Sequence, residues 1–312
     1  MTGGAGFIAS TLASRLIEDN EIVAFDNMSR DALQKSGLIG NPRMKLIKGD
    51  VRDLNAVREA IVSTHPTHII HCAAVAGIET VIKSPVTTLD VNMIGTSNVL
   101  NAARQVKNLE RLVVFSTSEV FGRQAFLSSE ETSAVIGAVG EARWTYAVSK
   151  LAAEHMALAY FHEFNLPTTV VRPFNVYGPR QVGEGALSTF IKRAIRDQDL
   201  EIHGQGTQIR AWCYVDDMVD AVLTTIHHSA AVGETFNIGN PRAVTTIYGL
   251  ANTVIRLLNS KSKISFIAKD YADIELRVPD VQKSLDRLGF AAKVDLEEGI
   301  PLTADYYRTY LK

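Results

Sequence analysis

A tyrosine and a lysine stand four residues apart in Tyr146-Ala147-Val148-Ser149-Lys150, within a helix-forming run that extends to about Phe164. Positions i and i+4 share one face of an α-helix, so the phenol and the ammonium are expected to meet. A neighbouring cation favours phenolate and draws a group that ordinarily titrates near about 10 toward neutral pH. Tyr146 could then take a proton from an alcohol while a nicotinamide takes the hydride. A helix with a solvated lysine would show the same spacing and do nothing. What makes the pair specific lies about thirty residues earlier, where the strand-like run Leu112–Ser116 leads into Thr117-Ser118-Glu119-Val120-Phe121-Gly122. The carboxyl ends of strands in a parallel α/β sheet meet at the cofactor crevice, which would bring Thr117, Ser118 and Glu119 to Tyr146 and Lys150. Glu119 next to Thr117 is either an acid/base for the substrate or a solvated loop carboxylate.

The chain opens with Thr2-Gly3-Gly4-Ala5-Gly6-Phe7-Ile8-Ala9, read as a glycine turn entering a helix that continues to about Asn20. Gly3 permits a tight turn, and Gly6 lets the backbone approach a pyrophosphate seated on the helix N-terminus. The run Glu21–Phe25 then reads as a strand ending in Asp26, about 20 residues after the glycines, where a carboxylate meets the adenine ribose hydroxyls and repels a 2′-phosphate. NAD is therefore expected rather than NADP. Gly49-Asp50-Val51, after a third strand-like run, forms a wall for adenine. Ala9 takes the place of the third glycine and is small enough for close helix-to-strand packing. A Rossmann first strand of about five apolar residues should precede Thr2, yet only Met1 does. A truncated sequence or a start assigned too late is the expectation, because an absent inner strand leaves two unpaired edges.

These residues need a frame to hold them. In 312 residues that are 46% apolar there is material for a sizeable core and for one large or two fused domains. Strand-like Ile22–Phe25, His68–Cys72, Leu112–Ser116 and Thr168–Val171 alternate with helix-period segments, which implies an α/β fold of the Rossmann type: a doubly wound parallel sheet with helices on both faces. After Pro173 the rhythm breaks at Gly178, Pro179, Gly183 and Gly185. A smaller, interleaved substrate lobe is expected there. Residues 1–172 and about 212–240 would form the nucleotide-binding domain, with 173–211 and about 241–312 the lobe. Trp212–Ile226 and Thr235–Ile238 would return to the main sheet. A net charge of −2 with dispersed Lys and Arg argues against a nucleic-acid partner. No apolar run approaches the roughly 20 residues of a membrane span, and no basic-then-apolar leader is apparent, so a soluble cytoplasmic protein is expected. Cys72 and Cys213 are read as buried free thiols, and the eight histidines lack ligand-like spacing, so no metal site is expected.

Taken together, these segments resemble the extended short-chain dehydrogenases/reductases that act on nucleotide-sugars. The likeness is carried by Thr2–Ala9 with Asp26, His71-Cys72-Ala73-Ala74, Asp90-Val91-Asn92, Ser116–Gly122, Tyr146–Lys150, Arg172–Arg180 and Tyr214-Val215-Asp216-Asp217. The resemblance implies that Thr117 hydrogen-bonds the sugar C4 oxygen, Tyr146 deprotonates it, and Lys150 also holds the nicotinamide ribose. It implies NAD contacts from Phe7, Ile8, Asp26, Asn27, Asp50, Val51, Ala73, Ala74, Asn92, Ser116 and Pro173, and a substrate-diphosphate grip from Asn175, Arg180, Arg210 and Arg277. Planar guanidinium forks suit phosphate oxygens. The shared first step is oxidation at C4. The following step is C4 epimerisation, dehydration, or loss of a C5 carboxylate. Arg143-Trp144, the segment Arg172–Arg180 and Phe236–Pro241 are most similar to UDP-glucuronate decarboxylases, with Gln282 standing where that type carries an arginine near the substrate carboxylate. Decarboxylation is placed just ahead of epimerisation of a UDP-sugar, with dehydration third. A non-catalytic NAD-binding regulator is a further alternative, disfavoured because Thr117, Tyr146 and Lys150 are all present. The resemblance also implies a homodimer built through the helix of Tyr146 and Lys150 and the one near Gly95–Val106.

Overall fold

The computed structural model describes residues 1–183, 185–268 and 274–311. The first half runs α1 (Phe7–Leu16), β1 (Ile22–Asp26), β2 (Met44–Lys48), α2 (Leu54–Val62), β3 (His68–His71), α3 (Ile78–Lys83), α4 (Pro85–Leu89), a π-helical turn (Asp90–Ile94), α5 (Gly95–Ala103), β4 (Arg111–Phe115), β5 (Gln124–Ser128) and α6 (Thr145–Phe164). The second runs β6 (Thr168–Pro173), β7 (Val176–Tyr177), α7 (Ala186–Ala194), β8 (Leu200–His203), β9 (Ile209–Ala211), β10 (Cys213–Tyr214), α8 (Val215–His227), β11 (Glu234–Ile238), β12 (Val244–Thr246), α9 (Ile247–Leu258), β13 (Ile264–Ile267), β14 (Leu276–Pro279), α10 (Gln282–Leu288) and α11 (Leu296–Tyr310).

Strands β11, β6, β4 and β3 pair in that order, all parallel. Their apolar runs are nearly unbroken because helices cover both faces. Alternation along β4 shows it: Val113 and Phe115 enter the core beneath α1 and α8, whereas Leu112 and Val114 enter the one beneath α2, α5 and α6. This is the doubly wound arrangement expected from the alternating elements.

The pair β1–β2 continues the sheet beyond β3, and the join is a single residue. Thr2 forms parallel bridges to both Phe25 and His71. Met1–Gly3 supply the hydrogen bonds there: Thr2 N–H to the Ile70 carbonyl at 3.0 Å, Gly3 N–H to Phe25 at 2.9 Å, and the Phe25 and Cys72 amides to Met1 and Thr2 at 2.8 and 2.9 Å. Below this join lies a groove of about 580 Å³ lined by Ile22, Val23, Ile61, Ile69, Ile70 and Ile226, among others. Between β1 and β3 the pairing is thus carried by one bridging residue, Thr2.

A second sheet, ordered β12-β9-β14-β5, belongs to a smaller lobe. Its strand β5 comes from the first half of the chain and pairs in parallel with β14, so the lobe interleaves earlier than the break at Pro173 suggests. The lobe has its own core around Tyr177, Phe190, Trp212, Leu250 and Ile300. The carboxyl ends of β1, β3, β4 and β6 face the seam between the two sheets, and the chemistry-bearing residues collect there.

Candidate active site

A cleft of about 420 Å³ opens along this seam. The glycine loop forms one end. Gly3 has φ +66°, and a Cβ there would fall 2.5 Å from the Ala73 nitrogen, so only glycine fits. Helix α1 starts at Phe7 with no side-chain cap, and Gly6, Phe7 and Ile8 line the cleft, leaving its opening turn to meet an anion. Asp26, at the tip of β1, lines the cleft beside Asn27. Burial raises the Asp26 carboxyl from its usual range, and the backbone N–H groups of Met28 and Ala5 oppose this. Val51, Ala73, Ala74 and Pro173 form the walls. An uncapped helix start, a glycine-only turn and a ribose-side carboxylate, in that order along one cleft, fit a dinucleotide such as NAD.

The opposite end gathers the predicted catalytic residues Thr117, Ser118, Glu119, Tyr146 and Lys150, all of which line the cleft. Thr117 ends the extended segment after β4 and caps a 3-10 turn, its Oγ1 accepting the Glu119 N–H at 3.2 Å. Its side chain also hydrogen-bonds the Tyr146 phenol. Lys150 is buried and donates from Nζ to the Phe115 carbonyl at 2.5 Å. Desolvation brings its ammonium down from 10.5 to about 8, against the raising influence of Cys72 and Glu154.

The expectation that Lys150 acidifies Tyr146 needs correction. Burial, and then the negative charge of Glu119, push the phenol above its ordinary value. The Thr117 hydrogen bond and the more distant Arg277 and Arg30 cations pull only weakly the other way. The ammonium donates to the Phe115 carbonyl.

Glu119 is not a solvated loop acid. Its carboxylate is paired with Arg143 at 2.6 Å and lies 3.7 Å from Arg277, all three side chains being largely buried. Asn175 lines the cleft in a left-handed conformation, with its amide donating to the Ala211 carbonyl at 2.7 Å.

Six other residues sit differently from expectation. Asp50 turns outward into an ion pair with Arg52 at 2.6 Å, leaving Gly49 and Val51 on the cleft. Arg180 reaches along α1 to the Ser10 carbonyl and to Ser14 Oγ at 2.7 Å. Arg210 donates to the carbonyls of Ile209 and Ile274 and is absent from the described cleft lining. Asn92 is fully buried behind the wall, binding both the N–H and C=O of Val75 and donating to Ser149 Oγ at 2.9 Å. Ser116 borders the cleft, but its hydroxyl points back to Glu154. Gln282 bonds Asp286 at the exposed start of α10 and also lies outside the described lining, so the cleft arginine on that side is Arg277.

Arg30 was missed in the sequence. It lines the cleft and donates to the Ala76 carbonyl at 2.7 Å, spanning from the β1 loop to the segment before α3. The available signal was a cation four residues beyond the ribose-side Asp26.

Comparison with known proteins follows the same lines. A family model described as the NAD dependent epimerase/dehydratase family matches residues 1–239. The chain is 32% identical to a UDP-N-acetyl-alpha-D-glucosaminuronate decarboxylase of Bacillus cytotoxicus, over 99% of this chain and 97% of that protein. It is 35% identical to UDP-glucuronic acid decarboxylase 6 of Arabidopsis thaliana, over 100% of this chain and 89% of that one. Among solved structures, UDP-glucuronic acid 4-epimerase from Bacillus cereus, in complex with UDP-glucuronic acid and NAD, superimposes with a TM-score of 0.88 at 27% identity, covering 99% of this chain and 98% of that one. The cofactor is NAD, and the chain belongs to the NAD-dependent epimerase/dehydratase family.

Proposed function

We propose that this enzyme transiently oxidises the C4 hydroxyl of a UDP-uronate and decarboxylates it at C5. The observation that carries the reading is the convergence of Thr117, Tyr146 and Lys150 with the Glu119–Arg143 pair at one end of the dinucleotide cleft. Relatives named as decarboxylases of UDP-glucuronic acid and of its N-acetylglucosamine counterpart support the choice of substrate. Bound NAD supplies reversible oxidation at C4. Thr117 Oγ1 and the Tyr146 oxygen hold the C4 oxygen, and Tyr146, entering the step as phenolate, receives its proton and gives it back when C4 is reduced. A ketone at C4 stands β to the C5 carboxylate, so the bond to carbon dioxide breaks with its electron pair moving into the C4 enolate. The same two hydroxyls stabilise that developing negative oxygen. Glu119, oriented by Arg143, manages the proton that returns to C5. Asn175 and Arg277 take the substrate diphosphate.

C4 epimerisation is the second reading, supported by the UDP-glucuronic acid 4-epimerase that superimposes along nearly the whole chain. Incubation with UDP-glucuronate, its N-acetylglucosamine counterpart and UDP-glucose, read by mass spectrometry, tests the proposal. Loss of carbon dioxide from a uronate is expected. An unchanged mass with an altered sugar NMR spectrum establishes epimerisation, loss of water establishes dehydration, and either overturns decarboxylation.

The assembly proposed is a homodimer through α6. On this side of the molecule α4, the π-helical turn and α6 leave Val86, Ile94 and Val148 at 69%, 48% and 44% exposure. Free Cys72 and Cys213 suit a reducing cytoplasm. Among the described residues no helix is long and apolar enough to cross a membrane.

A further inference from the structure

Behind the catalytic residues lies a second polar cluster that the mechanism above does not use. Glu154, one helical turn beyond Lys150 on α6, is 3% exposed. Its carboxylate accepts from Arg172 Nε at 2.9 and 3.1 Å, from Arg172 Nη2 at 2.7 Å, and from Ser116 Oγ. The backbone reinforces the contact, with the Ser116 N–H donating to the Val171 carbonyl at 2.8 Å. A buried ion pair carries a desolvation penalty that its own attraction only roughly repays, and apolar side chains of similar volume often hold a core as well or better. Stability alone is therefore a weak reason for charges here. Position is a better one. Ser116 immediately precedes Thr117, Glu154 follows Lys150 by one turn, and Arg172 immediately precedes Pro173, so each member sits beside a residue of the cleft. Arg172 extends the link by lying 4.9 Å over the Phe121 ring, in the turn that carries Glu119.

We infer that Ser116, Glu154 and Arg172 are positioning residues, a buried cluster that locks β4, α6 and β6 together so that Thr117 is held against Tyr146 and Lys150 for the C4 oxidation proposed above. The inference rests on that reading. Glu154 has a second influence, because its carboxylate raises the proton affinity of Lys150 against desolvation. Lys150 is otherwise faced by the Phe115 carbonyl from β4, by His71 at the end of β3 and by Cys72 just after it, while Arg172 on β6 faces Glu154.

The decisive variant replaces both charges, Glu154→Met with Arg172→Met, which leaves no orphaned ion. Thermal melting, NAD affinity by calorimetry, kcat, KM and the pH dependence of kcat are measured beside the wild type. A melting temperature at or above that of the wild type, unchanged NAD affinity and KM, and a kcat lowered by about 10- to 100-fold are expected. The alkaline limb of the pH profile should also move to lower pH, since Lys150 loses the carboxylate that helps it keep its proton. A folded double variant with wild-type kcat and an unmoved limb overturns the inference. Should that protein fail to fold, Ser116→Ala removes one bond to Glu154 and no charge. A kcat reduced by about threefold or more at constant KM supports positioning, and an unchanged kcat overturns it. Failure of the underlying reading looks different: turnover would survive Tyr146→Phe whatever the cluster does.

Discussion

The phenol of Tyr146 sets the chemistry at the scale of single residues. Burial and Glu119 raise its proton affinity, so the phenolate is a strong base for the C4 proton and the neutral phenol returns that proton when C4 is reduced. Tyr146→Phe is expected to lower turnover by about 10³-fold while leaving NAD affinity within about twofold, checked by steady-state kinetics and calorimetry. Glu119 allows a sharper test, because the two halves of the proposed reaction separate there. Glu119→Gln keeps the shape beside Thr117 but cannot exchange a proton at neutral pH. Steady-state release of carbon dioxide should fall by about 100-fold, because each turnover waits on the proton at C5, whereas transient NADH absorbance after mixing with UDP-glucuronate should persist. Equal loss of both signals would assign Glu119 to holding Arg143 and Arg277 in place rather than to proton transfer.

Among elements, the start of α1 depends on one glycine. The Gly3 conformation is left-handed, and the space a methyl would need is occupied by the backbone of Cys72 and Ala73. Gly3→Ala is therefore expected to destabilise the fold by more than about 2 kcal/mol and to weaken NAD binding by at least about tenfold, since relief of the clash moves the loop away from the helix N-terminus. Differential scanning calorimetry and a binding isotherm check both. Element types and order were legible from periodicity: the Tyr-Lys helix ends at Phe164 as its pattern predicts, and the strands at β1, β3, β4 and β6 agree with the sequence reading to within a few residues. Helix α1 is shorter than its pattern, closing at Leu16 rather than near Asn20. Strand β5 was not legible, because its partner β14 lies about 150 residues away and only that pairing makes it a strand.

For the whole molecule, stability is tied to pH through His71. The imidazole is fully buried between Thr2 Oγ1 at 2.6 Å and Thr96 Oγ1 at 2.9 Å, and desolvation lowers it from 6.5 to about 3. Between those values the unfolded chain binds a proton that the folded one refuses, so stability falls as pH drops from 6.5 toward 3, by up to about 1.4 kcal/mol per unit. Melting temperature should decline through that window in the wild type and much less in His71→Gln. The groove beneath Thr2 makes a second global prediction. Met1 buries its ammonium there, donating to the Val23 carbonyl at 2.7 Å, and burial lowers it to about 6. Appending about five β-branched residues before Met1 would replace that buried amine with a peptide and pair the facing edges of β1 and β3. A rise in melting temperature is expected, and no rise would show that the groove does not take a strand.

The sequence by itself determined the fold class, the glycine turn, the acid at the tip of β1 and the Tyr146–Lys150 helix, because helical and strand periods place such residues from their immediate neighbours. Only the tertiary structure decided which charges reach the cleft: Arg277 and Arg143 converge on Glu119, while Arg180, Arg210 and Asp50 find partners elsewhere. It also decided the direction in which burial moves the Tyr146 and Lys150 titrations, and the cluster of Ser116, Glu154 and Arg172. Desolvation and the choice of a hydrogen-bond partner depend on groups distant along the chain, and no spacing rule within one segment encodes them.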